Sequence, residues 1–261
     1  MGFHSREKRG FGRSILPDLV SVKPERLHRK LSKVEAAPAQ PLAGASKPQA
    51  RAKLPNRMRS AVLSIHTQQN YGELYTEFLR ARKRVFIDTK HWELPNVDGM
   101  EFDQYDTPQS RSVVVHEFGQ VLAGIRLLPT TAQCGCYSYM LRDAQRGLLA
   151  GIPSHVLYEK APVADHIWEA TRLFLSPEVE AERRLQVQML LITEMARAAV
   201  NEGATHVIGI VPAVFKRWMG RLGMGALPLG PKLLIDGDKI QAAVMHVAAV
   251  AGGPESNTTL H

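Results

Sequence analysis

From residue 71 onward the apolar positions recur with periods that separate helices from strands. Leu74, Phe78 and Val85 fall at near-helical intervals in YGELYTEFLRARKRVFI, which predicts an amphipathic helix over 71–87. Residues 88–110 lose that period and carry Pro95, Gly99 and Pro108, so a long loop is expected, and long loops in compact domains are usually functional. RSVVVHE (111–117) and VLAGIRLL (121–128), split by Phe118, Gly119 and Gln120, predict a hairpin. Residues 137–149 have helical character, and HIWEATRLFL (166–175) has that of a strand. The strongest helix spans 182–202, with Leu185, Met189, Ile192 and Met195/Ala196 on its inward face and Gly203 as terminator. A buried strand at 206–211, a helix from Pro212 to about Leu222, and two strands at 224–235 and 239–249 complete the pattern. The order predicts an α/β fold, a mixed sheet with helices on both faces. No Gly-rich strand-to-helix turn marks a dinucleotide fold.

Charge divides the chain in two. Residues 1–60 hold 14 Lys/Arg against 4 Asp/Glu, a net of +10, and the rest holds 19 against 21, a net of −2. With six prolines and two aromatics, that first segment cannot bury enough apolar surface to offset ordering entropy. It reads as a disordered extension with a linker at 36–50, ahead of one domain at 61–250 and a tail at 251–261. A tail of that sign suits a polyanion or an acidic protein, but no helix-turn-helix, zinc or RNA-binding signature accompanies it, so nucleic acid is not expected. No apolar run is long enough for a membrane-spanning helix. Two cysteines, Cys134 and Cys136, are too few to staple a secreted scaffold, and no apolar leader opens the chain, so a cytoplasmic protein without a metal is expected.

Ionisable residues stand where folding alone does not call for them. Arg126 interrupts the apolar run GIRLLP, Glu169 and Arg172 interrupt IWEATRLF, and Asp103 and Asp106 sit in the long loop. Buried charges must be paired. Residues 169 and 172 lie on opposite faces of a regular strand, so they either straddle the sheet or mark a bulge. Two readings stay open at this point: an ion-pair network pinning the loop to the sheet, or a site for a polar ligand.

Four strings in order carry a resemblance: RKRVF with Trp92 six residues on (Arg82 to Trp92), DQYD (Asp103 to Asp106), GIRLLPT (Gly124 to Thr130) and WEATRLF (Trp168 to Phe174). Together they resemble the acyl-homoserine lactone synthases, the autoinducer synthases of quorum sensing, from about residue 70 to 248. The resemblance implies a three-layer fold like that of the GNAT acyltransferases. It also implies S-adenosyl-L-methionine as a substrate rather than a cofactor, and an acyl-[acyl carrier protein] as donor. Acyl transfer to the amine would precede lactone closure with release of methylthioadenosine. The residues carried over are Arg82, Phe86, Trp92, Asp103, Asp106 and Arg126 for adenosylmethionine binding, and Glu169, Arg172, Asp103 and Asp106 for catalysis. In these roles the acids would hold the cationic part and Arg82 or Arg126 would clamp the carboxylate. Phe86 and Trp92 would offer π faces, Glu169 would act as general base, and Arg172 would orient Glu169 or hold the loop acids.

An acyl tunnel could be lined by Met189, Ile192, Gly209, Phe215 and Trp218, although such a stripe is also what a plain core provides. By the same resemblance, many relatives preferring 3-oxo chains carry Thr where Gly209 aligns, which implies an unsubstituted or 3-hydroxy chain here. Arg80, Lys83, Arg84, Lys216, Arg217 and Arg221 could dock an acidic carrier protein or could be solvated helix faces. The rival readings are a related acyltransferase using acyl-CoA or another amine, and an inactive binding relative.

Overall fold

The computed structural model describes residues 57–212, 219, 225–235 and 237–248. Residues 1–56 of the basic extension, the linker within it, the C-terminal tail, and the helix expected after Pro212 (Met219 apart) lie outside the described residues, and with them Phe215, Lys216, Arg217, Trp218 and Arg221.

Chain order runs β1 (Arg59–Leu63), α1 (Leu74–Arg82), β2 (Asn96–Val97), β3 (Met100–Glu101), β4 (Arg111–Glu117), β5 (Gln120–Pro129), α2 (Met140–Gln145), β6 (Ile167–Leu175), α3 (Ala181–Asn201), β7 (His206–Pro212), β8 (Ala226–Ile235) and β9 (Asp238–His246). Seven strands form one sheet in the order β1-β4-β5-β6-β7-β9-β8. Every pairing is antiparallel except β6 with β7, which run parallel through only three residue pairs, Ile167–Glu169 against His206–Ile208. Beyond that point β7 pairs with β9 alone. Among the described residues, β6 therefore has no strand neighbour on that side from Ala170 onward.

The predicted mixed sheet with helices on both faces is what the molecule has. On one face α3 packs through Val187, Leu191, Ile192, Met195, Ala196, Ala198 and Ala199 onto Val113, Val115, Ile125 and Leu127. On the other, α1 supplies Leu74, Phe78 and Leu79 against Val114, Val121 and Phe174, with α2 beside it. Gly124 makes room for this second layer: a Cβ there would stand 2.6 Å from the Phe78 ring and 2.9 Å from that of Phe174.

Several expectations need correction. β1 pairs with β4 and starts at Arg59, so the sheet begins two residues before the expected domain start at 61; a five-residue edge strand shows too little alternation to stand out. The helix expected over 137–149 is confined to six residues, Met140–Gln145, because the chain turns at Gly147, whose φ of 76° suits glycine. The buried stripe of α3 is rotated from the expected one: Leu185 and Met189 are exposed, whereas Gln188 and Leu191 face the sheet. The loop 88–110 contains a small hairpin, β2–β3, turned at Asp98 and Gly99, both with positive φ as a tight two-residue turn requires.

Candidate functional site

A helix end, a small hairpin with the turn after it, and two sheet strands deliver six charged side chains to one point. The C-terminal end of α1 brings Arg82, the β2–β3 hairpin and the turn after it bring Glu101, Asp103 and Asp106, and β5 and β6 bring Arg126 and Arg172. Arg82 grips Asp106 with both terminal nitrogens (2.6 and 2.9 Å) and gives Nε to Glu101 at 2.5 Å. Arg126 grips Asp103 at 2.6 and 3.2 Å, reaches Asp106 at 2.9 Å, and donates Nε to Thr171 at 3.1 Å. Arg172 donates to Glu101 at 3.1 and 3.2 Å and to Asp103 at 2.7 Å. Backbone N–H groups add to the set, Asp103 to the Asp106 carboxylate and Tyr105 to that of Asp103. Three carboxylates meet three guanidiniums, so the cluster is neutral as a unit, and its pairing offsets the cost of burial.

A bulge makes this convergence possible. The β5–β6 register slips between Gly124 and Arg126, and Arg172 opposite adopts φ 54°. The register slip itself marks a bulge in β6, with Arg172 in the left-handed region at that point. It turns Arg172 onto the face that already carries Glu169 and Thr171, resolving the straddle-or-bulge alternative in favour of the bulge. Such backbone costs on the order of 1–3 kcal/mol and persists where its surroundings hold it, here the two acids that bind the guanidinium.

The electrostatics follow from this geometry. Burial alone would raise the Asp103 and Asp106 carboxyls, but Arg126 together with Arg172 or Arg82 outweighs it and holds both below the ordinary range. Burial likewise works against charge on Arg82 and Arg126, and the facing carboxylates more than compensate. Glu169 behaves oppositely. It is 1% exposed, and burial pushes its carboxyl up to about 7, against the pull of the two backbone N–H groups it accepts. Those are Met140 N at 2.8 Å and Leu141 N at 2.7 Å, so Glu169 caps the first turn of α2 from the neighbouring strand. A carboxylate has about four lone-pair sites, so capacity for further donors remains.

The sequence-derived residues are therefore brought together on one face, but not as a free set of ligand groups. Arg82, Arg126 and Glu101 are fully enclosed, while Arg172, Asp106 and Asp103 keep 10%, 7% and 6% side-chain exposure. The expected free carboxylate clamp of Arg82 or Arg126 is occupied by protein carboxylates. Of the two roles expected for Arg172 the structure has the second, holding Glu101 and Asp103. Phe86 is 1% exposed; its ring stacks on Trp92 at 5.1 Å, and Arg172 lies over it at 5.6 Å, so no open π face remains there. Trp92 is only partly buried. Glu101 was missed by sequence reasoning. The Asp98-Gly99 pair was the available signal, because the hairpin it makes ends on Glu101.

On the opposite face a small crevice lies between the end of β6 and α3, lined by Ala123, Leu173, Phe174, Leu175, Gln188, Leu191 and Ile192. Ile192 belongs to the expected acyl-chain set; Met189 does not reach the crevice, because it is on the exposed side of α3. Gly209 offers no lining either: a Cβ there would stand 2.7 Å from the Ala170 carbonyl, so glycine lets β7 approach β6 where they part. Of the expected docking cations, Arg80 and Arg84 share Glu77 (2.7 and 3.9 Å) and Lys83 pairs with Asp88 at 2.7 Å, so that helix face is locally compensated. Cys134 and Cys136 are exposed, and among the described residues there is no group of three or more His, Cys, Asp or Glu arranged for a metal. No helix among the described residues is long and apolar enough to cross a membrane.

The family model "Autoinducer synthase" matches residues 66–251. An acyl-homoserine-lactone synthase of Acinetobacter nosocomialis is 30% identical over 188 residues, covering 69% of this chain and 96% of the relative. One from Pseudomonas aeruginosa is 27% identical over 172 residues, covering 65% and 77%. Among solved structures, TofI in a ternary complex with an inhibitor and MTA is 25% identical with a TM-score of 0.59, covering 74% of this chain and 96% of TofI. The AHL synthase LasI is 23% identical with a TM-score of 0.61, covering 77% and 98%, and shares the fold. With the family model spanning residues 66–251, well over half of the chain, this chain belongs to the autoinducer synthase family and is an acyltransferase of the acyl-homoserine-lactone synthase kind.

Proposed function

We propose that the chain makes an acyl-homoserine lactone from S-adenosyl-L-methionine and an acyl thioester, with an acyl-[acyl carrier protein] as donor. The observation that carries this reading is Glu169, an enclosed carboxyl with a pKa of about 7 at the place where β6 and β7 part, on the same face as the charged cluster. A base poised near the working pH is what deprotonation of an attacking ammonium needs. TofI, 25% identical, has been solved with MTA, consistent with an adenosylmethionine-derived product in a relative.

In this scheme adenosylmethionine lies against the rim of the cluster. Arg172 faces its carboxylate, Asp103 and Asp106 face its cationic part, and Trp92 packs on the sulfonium or adenine. Arg82, Arg126 and Glu101 hold those rim groups without touching substrate, and Phe86 supports Trp92 from beneath. Glu169, directly or through a water, takes a proton from the amine. The nitrogen attacks the thioester carbonyl, and the thiol leaves with a proton. The adenosylmethionine carboxylate oxygen then attacks the γ-carbon, the carbon–sulfur bond breaks, and methylthioadenosine departs as the lactone closes. Fixing amine and thioester side by side can supply roughly 7–11 kcal/mol of the barrier reduction.

The test is to incubate the purified full chain with adenosylmethionine and octanoyl-carrier protein or octanoyl-CoA and follow products by mass spectrometry. Lactone and methylthioadenosine in equal amounts from the carrier-protein donor are expected. Turnover with the CoA donor alone would replace the donor assignment, and acyl transfer without methylthioadenosine would overturn the lactonisation step.

A further inference from the structure

Outside the charged cluster, Asp143 is a second fully enclosed carboxylate near Glu169. It lies in the first turn of α2, the turn whose Met140 and Leu141 N–H groups Glu169 accepts. Its Oδ2 accepts the Ser138 N–H at 2.8 Å and the Tyr105 hydroxyl at 3.1 Å, and its Oδ1 accepts Arg146 Nη1 at 3.0 Å. Arg146 keeps 45% side-chain exposure, so solvent screens it and it offsets the buried charge only in part. Holding the Ser138 N–H needs no more than an amide oxygen, which asparagine would supply. A full charge, and a hydroxyl reaching it from a distant loop, go beyond what closing the turn requires.

Tyr105 gives the carboxylate its reach. It stands between Asp103 and Asp106, and its backbone N–H holds the Asp103 carboxylate at 2.9 Å. Its ring faces the Arg126 guanidinium at 5.6 Å, and its hydroxyl crosses 38 residues to Asp143. One side chain therefore ties the loop that carries the acids to the turn that fixes both oxygens of Glu169. The ionisable groups bearing on Glu169 are Arg126 on β5, Asp143 and Tyr139 on α2, and Tyr105 on the loop. Burial is the main reason the Glu169 carboxyl is raised; the Leu141 and Met140 N–H groups and Arg126 oppose it, and Asp143 adds to it. Tyr105 and Tyr139 are held above the ordinary phenol range, first by burial and then by Asp143 and Glu169 respectively, so both stay neutral. A like charge in an enclosed space disfavours a second one, so Asp143 counteracts the weakening of this base by Arg126.

We infer that Asp143 is a positioning residue for acyl transfer: through α2 and Tyr105 it holds Glu169 against the loop carrying Asp103 and Asp106, and its charge keeps Glu169 an effective base. This rests on the synthase reading above.

The experiment follows lactone and methylthioadenosine across pH with whichever octanoyl thioester, carrier protein or CoA, the wild type turns over. It compares wild type, Asp143→Asn, Arg146→Gln and Tyr105→Phe, with urea unfolding to check that each is folded. Asp143→Asn keeps the shape and the accepting oxygen but removes the charge. Its kcat should fall about threefold to tenfold, and the midpoint of kcat/KM against pH should move down by about half a unit to one unit. Arg146→Gln, an exposed change, leaves the carboxylate uncompensated and should move the midpoint up, which decides the case if Asp143→Asn does not fold. Tyr105→Phe cuts the tether and keeps the charge, so KM for adenosylmethionine should rise about threefold to tenfold at an unmoved midpoint. While the wild type makes lactone, two results overturn this inference alone. One is an unmoved midpoint in Asp143→Asn, or in Arg146→Gln where the former does not fold, whatever happens to kcat. The other is a wild-type KM in Tyr105→Phe. No lactone from the wild type with either donor overturns it together with the synthase reading.

Discussion

Replacing Arg126 by Met changes the buried cluster from neutral to a net charge of −1 without leaving a large void. In the wild type Arg126 makes three carboxylate contacts at 2.6, 2.9 and 3.2 Å and one to Thr171 at 3.1 Å, with no exposure of its own. Charge-assisted hydrogen bonds contribute about 1.5–3 kcal/mol each, and breaking a buried pair typically costs roughly 3–5 kcal/mol. Asp103 keeps Arg172 and the Tyr105 N–H, and Asp106 keeps Arg82 and the Asp103 N–H, so the lower end, about 3 kcal/mol, is expected. Urea unfolding near pH 7 measures it as a shift of midpoint at constant slope. The pH dependence carries a sign. Both aspartates have folded-state values below the unfolded one, so they contribute stability above about pH 4 that is lost as pH falls through their folded values. Removing Arg126 weakens that depression, so the gap between wild type and variant should be widest above about pH 4 and narrow below it. Pairing the change with Asp106→Asn restores neutrality and should recover part of the loss. A loss under about 1 kcal/mol, or one that does not change with pH, would refute the account of the cluster as mutually compensating charges.

Three other outcomes are expected. Glu169→Gln should lower kcat by roughly 10²–10⁴-fold with a smaller change in adenosylmethionine affinity, and wild-type kcat/KM should rise with pH through a midpoint near 7; steady-state kinetics across pH check both. The same raised carboxyl favours its protonated form in the fold, so its contribution to stability is full below the unfolded value and lost as pH climbs through about 7; Glu169→Gln should flatten that part of the stability curve in urea titrations. Gly209→Ala should push β7 from β6 at Ala170, costing about 1–3 kcal/mol in stability and lowering turnover, whereas an unchanged melting temperature would show that the strands part more easily than the 2.7 Å approach implies.

The chain's own order of residues settled much of this protein. The periods of 111–128, 166–175 and 182–202 predicted the central strands and the long helix, because each buries a face against a neighbouring layer and local alternation records that. The placement of Arg126, Glu169 and Arg172 inside apolar strands marked the chemistry, since such charges must find partners. Tertiary structure decided which partners. Arg82 meets Asp106 across 24 residues and Arg172 meets Glu101 across 71, separations that no periodicity encodes. It also decided that Glu169 caps α2 and that a bulge at Arg172 turns it onto the cluster's face. β1 and the inward turn of Gln188 were likewise set by what packs beside them rather than by their own sequence. Alternation reports burial within one segment, whereas the pairing of charges depends on the distance between segments that only the closed sheet brings within reach.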